Sequence, residues 1–208
     1  MIKSIWLLIE PRPAWEKIAV VRHGVLRLFL TLLVPLLVVT SAVEGYGLAR
    51  WGKPQDDGLY RRQYSAAEVV AYQIIQVTLT VAIILAAAAL VDAVARSFHS
   101  RHHFLQSFTV VAYGLSPLML MQMLNAFPAI NPWVSWAIGI ALVTRTLYQG
   151  IPCVMQPDAP NAFGLYLTAL LLLTMATGMA RFFTAEFLEG SFRGLEKPLV
   201  DLITRVIS

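Results

Sequence analysis

Four ionisable side chains stand at the ends of long uncharged runs: Glu44, Asp92, Arg145 and Arg181. A charge at such a place is costly in a bilayer; where it is kept, it pairs with an opposite charge or marks an ion or solute path. Glu44 closes the first apolar run, Asp92 the second, Arg145 the fourth and Arg181 the fifth. If the runs alternate across a membrane, Asp92 and Arg145 share one side and can form an ion pair. Glu44 and Arg181 share the other side and can do the same. Gln73 and Gln76 lie early in the second run, where amides hydrogen-bond between neighbouring helices. Ser116–Pro117, inside the third run, frees a backbone carbonyl and bends the helix that carries it.

Other chemistry is poorly supported. The stretch "HSRHH" sets His99, His102 and His103 at helical spacing, which could gather imidazoles around a metal. No acid or cysteine beside them completes a ligand set, so the better reading is a solvated basic loop with no metal. The sequence has no GxSxG, no HExxH, no glycine-rich phosphate loop and no acidic pair within a span. It therefore reads as non-enzymatic, with no cofactor. Cys153 is the only cysteine, so no internal disulfide can form. A net charge of +4 and a pI near 9.4 raise the question of nucleic acid, but Lys and Arg form no patch. Basic residues at the ends of membrane spans account for the excess.

The elements that must position these groups are membrane helices. The 208 residues are 58% hydrophobic and 13% charged, where soluble domains average about 25% charged. A span needs roughly 20 mostly apolar residues, and five segments supply them, at about 25–43, 69–91, 104–127, 130–148 and 162–180. The fourth is short, and a segment that dips into the bilayer and returns is the alternative there. Between the first two lies a polar, aromatic loop, "EGYGLARWGKPQDDGLYRRQYSAAE", and between the third and fourth a tight turn, "NAFPAINPW". The fold expected is an all-α membrane protein, a bundle of about five transmembrane helices in a single domain over 1–208. An interfacial segment is expected at 1–24, where Trp15, Ile18 and Ala19 carry an apolar stripe, and an amphipathic one at 191–208. For both ends, packing against the bundle itself is the equal alternative. The opening residues have a short apolar part broken by Glu10 and Pro11 and no small-residue cleavage site, so they are expected to stay in the mature protein.

Basic residues divide eight against eight between the two faces. The leading flank of the first span holds Lys3, Arg12, Lys17, Arg22 and Arg27; the loop behind it holds Arg50, Lys53, Arg61 and Arg62. The first span usually dominates orientation, which sets the N-terminus in the cytoplasm.

Three short motifs remain: "PxxxWxxI" at Pro11, Trp15 and Ile18; "YGLSP" from Tyr113 to Pro117; and "YxGIP" at Tyr148, Gly150, Ile151 and Pro152. Set on five spans, this combination resembles the bacterial branch of the Yip (Ypt-interacting protein) family of small five-span membrane proteins. The resemblance covers nearly the whole chain in layout, and it implies a cytoplasmic N-terminus and an exoplasmic C-terminus. Eukaryotic members bind Rab-type GTPases in vesicle traffic and carry a DLYGP-type motif, which this sequence lacks.

With that frame, "YQGIP" reads as a structural stop: Tyr148 anchors at the interface, Gly150 allows a tight turn and Pro152 ends the helix. The alternative is that Arg145, Tyr148 and freed backbone line the mouth of a cleft. The functional expectation is an inner-membrane scaffold or adaptor in contact with membrane lipid and a protein partner or a second copy. The small residues of "AIGIA" and "ATGMA" suit close helix packing, within the bundle or between protomers. The alternative is a small-molecule or ion transporter built on the kinked third span and the pair Asp92 and Arg145.

Overall fold

The structure, a computed structural model, describes residues 6–7, 10–20, 24–54, 61–97 and 103–189. The amphipathic segment expected at 191–208, and His99 and His102, lie outside the described residues. After a short helix α1 (Pro11–Val20) come five helices long and apolar enough to cross a membrane. These are α2 (Val25–Trp51), α3 (Ala66–Ser97), α4 (Phe104–Ala126), α5 (Pro132–Met155) and α6 (Ala159–Glu189). A two-residue ribbon, β1 (Lys53–Pro54) paired antiparallel with β2 (Arg61–Arg62), joins α2 to α3. The fourth crossing is a continuous helix of 24 residues, about 36 Å at about 1.5 Å per residue, so it spans and does not turn back.

Each helix has a legible local cause. Residues Phe29–Leu33 of α2 form a π-helical turn ahead of Pro35, a wider turn that absorbs a proline lacking an N–H and crowding the carbonyl four residues back. The start of α3 is a reciprocal cap: Ser65 N–H donates to Glu68 Oε2 (2.7 Å), and Glu68 N–H donates to Ser65 Oγ (3.2 Å). This satisfies two otherwise orphaned donors. Arg62 adds an ion pair to Glu68 at 3.2 Å, tying the ribbon to that cap. In α4, Pro117 takes the donor away from the Tyr113 carbonyl, and the Ser116 hydroxyl supplies a replacement at 2.7 Å. The helix passes Leu115 with one irregular turn and no unanswered carbonyl at that point.

Three expectations need correction. The segment from Glu44 to Trp51 is helical, not loop, because Glu44, Gly45, Gly47 and Leu48 pack against other helices. The N-terminal helix does not lie free on the membrane surface: Trp15 is fully buried, and Pro11, Ala14 and Ile18 are buried beside it. Of the two placements open to α1, the structure has the one tucked against the bundle. Finally, "YQGIP" is no stop. Helix α5 continues through Pro152 to Met155 and ends at Gln156, which takes the left-handed conformation (φ 45°) directly before Pro157. A proline is restrictive for the residue before it and for the carbonyl four back, but the chain absorbs Pro152 within the last turn.

Candidate functional site

The three motifs "PxxxWxxI", "YGLSP" and "YxGIP" meet at one place. The indole Nε1 of Trp15 donates to the Thr146 carbonyl of α5 at 2.9 Å. Its ring stands edge-on to Tyr113 of α4, with centroids 6.2 Å apart and planes at 72°, a favoured aromatic geometry. The space for that ring is made by Gly150: a Cβ there would lie 2.5 Å from Trp15 Cε2 and Cζ2. Gly150 thus serves close approach, not a turn. Tyr148 points outward, exposed, with its ring edge-on to Tyr166 of α6 at 5.4 Å. Pro152 is also exposed.

At the opposite end of the bundle a carboxylate is sunk among the helices. Glu44 of α2 is 0% exposed. Gln76 Nε2 donates to its Oε2 at 2.7 Å, Asn125 Nδ2 to its Oε1 at 3.1 Å and the Tyr72 hydroxyl to its Oε1 at 3.3 Å. The donors come from α3 and α4, so this one carboxylate holds three crossings at a fixed register. Gly47, one turn on, lets α4 close in, since any Cβ there would collide with the backbone of Ala126. Burying a carboxylate without such partners would cost about 2.5–3.5 kcal/mol even on the mildest insertion scales.

Arg181 of α6 joins the same cluster. It is 8% exposed, and its guanidinium acts electrostatically on the Tyr72 hydroxyl that donates to Glu44. Lys53, half-buried on β1, feels both Glu44 and Arg181. Burial, and secondarily Arg181, push its ammonium down to about 8, against the pull of Glu44. Glu44 and Arg181 thus lie near one another, with Tyr72 set between them and no direct ion pair among the described residues. Arg181 and Gln76 line a cavity of about 40 Å³ between α3, α4, α5 and α6.

Asp92 and Arg145 are not brought together as an ion pair. Asp92, buried, takes Arg96 on its own helix at 2.6 Å and the Ser107 hydroxyl of α4 at 3.4 Å. Arg145 is exposed on α5 and forms no ion pair among the described residues. His103 is spent at the start of α4, its backbone N–H donating to Gln106 Oε1 at 3.0 Å. Among the described residues no group of acids, histidines and cysteines could hold a metal. Of the small residues of the fourth and fifth spans, Gly139 faces Leu118 and Gly178 faces Trp136, while Ala137 and Ala141 are exposed.

Sequence reasoning had Gln76 as a contact between helices but missed Tyr72, Asn125 and Lys53. Tyr72 and Gln76 are four residues apart and so share a helix face, a signal that was available. Asn125 lies in a stretch that reads as a turn.

Five helices long and apolar enough to cross a membrane, with large apolar side chains exposed along them, define a multi-pass α-helical membrane protein. The family model of the Yip1 domain matches residues 6–180, and the chain belongs to that family. No curated protein and no solved structure matches it.

Proposed function

We propose that this Yip-type membrane protein is a non-enzymatic scaffold or adaptor of the bacterial inner membrane, with its N-terminus in the cytoplasm. The observation that supports this reading is where its polar groups are spent. Glu44 takes three donors from other spans, Asp92 takes Arg96 and Ser107, and Ser116 answers the carbonyl freed by Pro117. Polar groups used to fix helices against one another favour a rigid body over a gated path. What is left to meet a partner is the outer surface. On α6 the side chains Phe163, Leu167, Leu171, Met175 and Met179 recur every four residues along one exposed face.

A photo-crosslinking side chain at Leu171 or Met175, irradiated in cells, tests this directly. A reproducible protein adduct, or a second copy of the chain, is the expected result. Lipid adducts alone would remove the scaffold reading. Transport is the second reading, favoured by a buried Arg181 beside a cavity between four helices; flux in liposomes that falls with Arg181→Gln would support it.

A further inference from the structure

In the cluster around Glu44 one guanidinium donor and two amide oxygens, one of them Asn125 Oδ1, have no partner among the described residues. Arg181 Nη2 has no hydrogen-bond partner among the described residues, and neither has Gln76 Oε1. Both side chains are more than nine-tenths buried, at 8% and 7% exposure, and both line the same cavity. An unanswered guanidinium N–H in such a place carries a full desolvation penalty. Glu44 does not relieve it: its oxygens take Gln76, Tyr72 and Asn125, and no ion pair joins it to Arg181 among the described residues. Charge adds to the demand: Lys53 and Arg181 act on one another across the cluster with Glu44 as the carboxylate between them. Water can meet a hydrogen bond but not a surplus of positive charge.

The cavity's shape adds a second constraint. Gln76, Gln122, Arg181 and Thr184 line it toward one membrane face, Thr80 and Thr177 about one turn deeper, and Ile83 and Leu115 deeper still along their helices. Helix α3 has 32 residues, about 48 Å at about 1.5 Å per residue, against a hydrocarbon core of about 30 Å. Centred on that core, it puts Gln76 about 6 Å inside the hydrocarbon edge, since Gln76 is about 15 Å along the helix. The polar end of the cavity therefore sits just beneath the headgroup layer. Its volume of about 40 Å³ is room for about three waters, the size class of one oxyanion.

We propose that this cavity binds a phosphate oxyanion that also carries a hydroxyl, with Arg181 Nη2 donating to a phosphate oxygen and Gln76 Oε1 accepting from the hydroxyl. The headgroup of an acidic glycerophospholipid has this chemistry, and so has free hydrogen phosphate. The apolar Ile83 and Leu115 at its deepest part favour the lipid. This inference does not depend on the scaffold reading.

The test reconstitutes the full chain in nanodiscs of phosphatidylcholine alone, of phosphatidylcholine with an equal part of phosphatidylglycerol, and of phosphatidylcholine with inorganic phosphate added. Thermal unfolding and lipid retained after detergent extraction are the readouts. Wild type is expected to retain phosphatidylglycerol over phosphatidylcholine by about tenfold, the scale of one hydrogen bond to a charged group. Arg181→Gln is expected to lose that preference and Arg181→Lys to keep part of it. If Arg181→Gln does not fold, Ala180→Leu, which fills the cavity and leaves the guanidinium in place, is expected to abolish retention. Protection by inorganic phosphate in phosphatidylcholine would support the site with a soluble ligand. Equal retention of both lipids with no effect of phosphate would overturn the proposal and leave a water-filled cavity.

Discussion

Gly150 and Trp15 fit each other as notch and ring: the indole lies where a side chain at position 150 would have to be, 2.5 Å from an added Cβ. The neighbour is a rigid aromatic ring, itself fully buried and hydrogen-bonded to Thr146, so it has nowhere to retreat. Gly150→Ala is expected to destabilise the protein by about 1–3 kcal/mol, the cost of overpacking a tight core. Thermal unfolding in detergent checks it, with the emission of Trp15 as a probe of docking in a background where the other four tryptophans are phenylalanine. Unchanged stability would mean that α1 is not held as described.

Ser116 and Pro117 are coupled through the Tyr113 carbonyl. Ser116→Ala removes the donor that replaces the missing proline N–H and is expected to cost about 1 kcal/mol. In a Pro117→Ala background the backbone N–H returns, and the same Ser116→Ala change is expected to cost nearly nothing. A double-mutant cycle reads the difference, and additive effects would refute the coupling.

Glu44→Leu leaves the amides of Gln76 and Asn125 and the Tyr72 hydroxyl without their acceptor. A loss of about 3–5 kcal/mol is expected, as when one side of a buried charged network is removed. Glu44→Gln keeps one acceptor oxygen and should cost visibly less. Equal losses for the two variants, measured by chemical denaturation in mild detergent, would show that packing and not acceptance is the role of this side chain.

Lys53 makes stability depend on pH. Its ammonium is pushed down to about 8 in the folded protein from an ordinary 10.5, so between those values the unfolded chain binds more protons than the folded one. Stability attributable to Lys53 therefore rises with pH through that window and is flat below it. Lys53→Met is expected to flatten the alkaline rise of the unfolding temperature. A slope identical to wild type would place the titration elsewhere.

The sequence revealed the crossings more readily than the contacts between them. Four of the five apolar runs are long enough to read as crossings at once, the fourth in chain order is short, and a serine beside an intrahelical proline announces the freed carbonyl. Helix ends were harder, because hydropathy falls in the same way where a chain enters water and where it turns a carboxylate into a bundle; Glu44 to Trp51 is the second case. Pro152 misled for a related reason, since one proline in a final turn can be absorbed when the true end lies at Gln156–Pro157. The Trp15 pocket was beyond reach. Its parts lie on α1, α4 and α5, and nothing local to Gly150 says that its missing side chain belongs to an indole. Glu44 and Arg181 could be assigned to one side by topology alone, but not the Tyr72 hydroxyl between them.

The bond from Trp15 to Thr146 joins residues 131 apart in sequence, which bears on how the molecule is made. At about 5–20 residues per second, roughly 7 to 26 s pass between synthesis of the indole and of its acceptor. During that interval α1 has no pocket, because Gly150 and the carbonyl it needs do not yet exist. A helix made before all five crossings is thus among the last to reach its place, and a chain halted before its fourth crossing presents an undocked tryptophan to whatever surveys the nascent membrane protein.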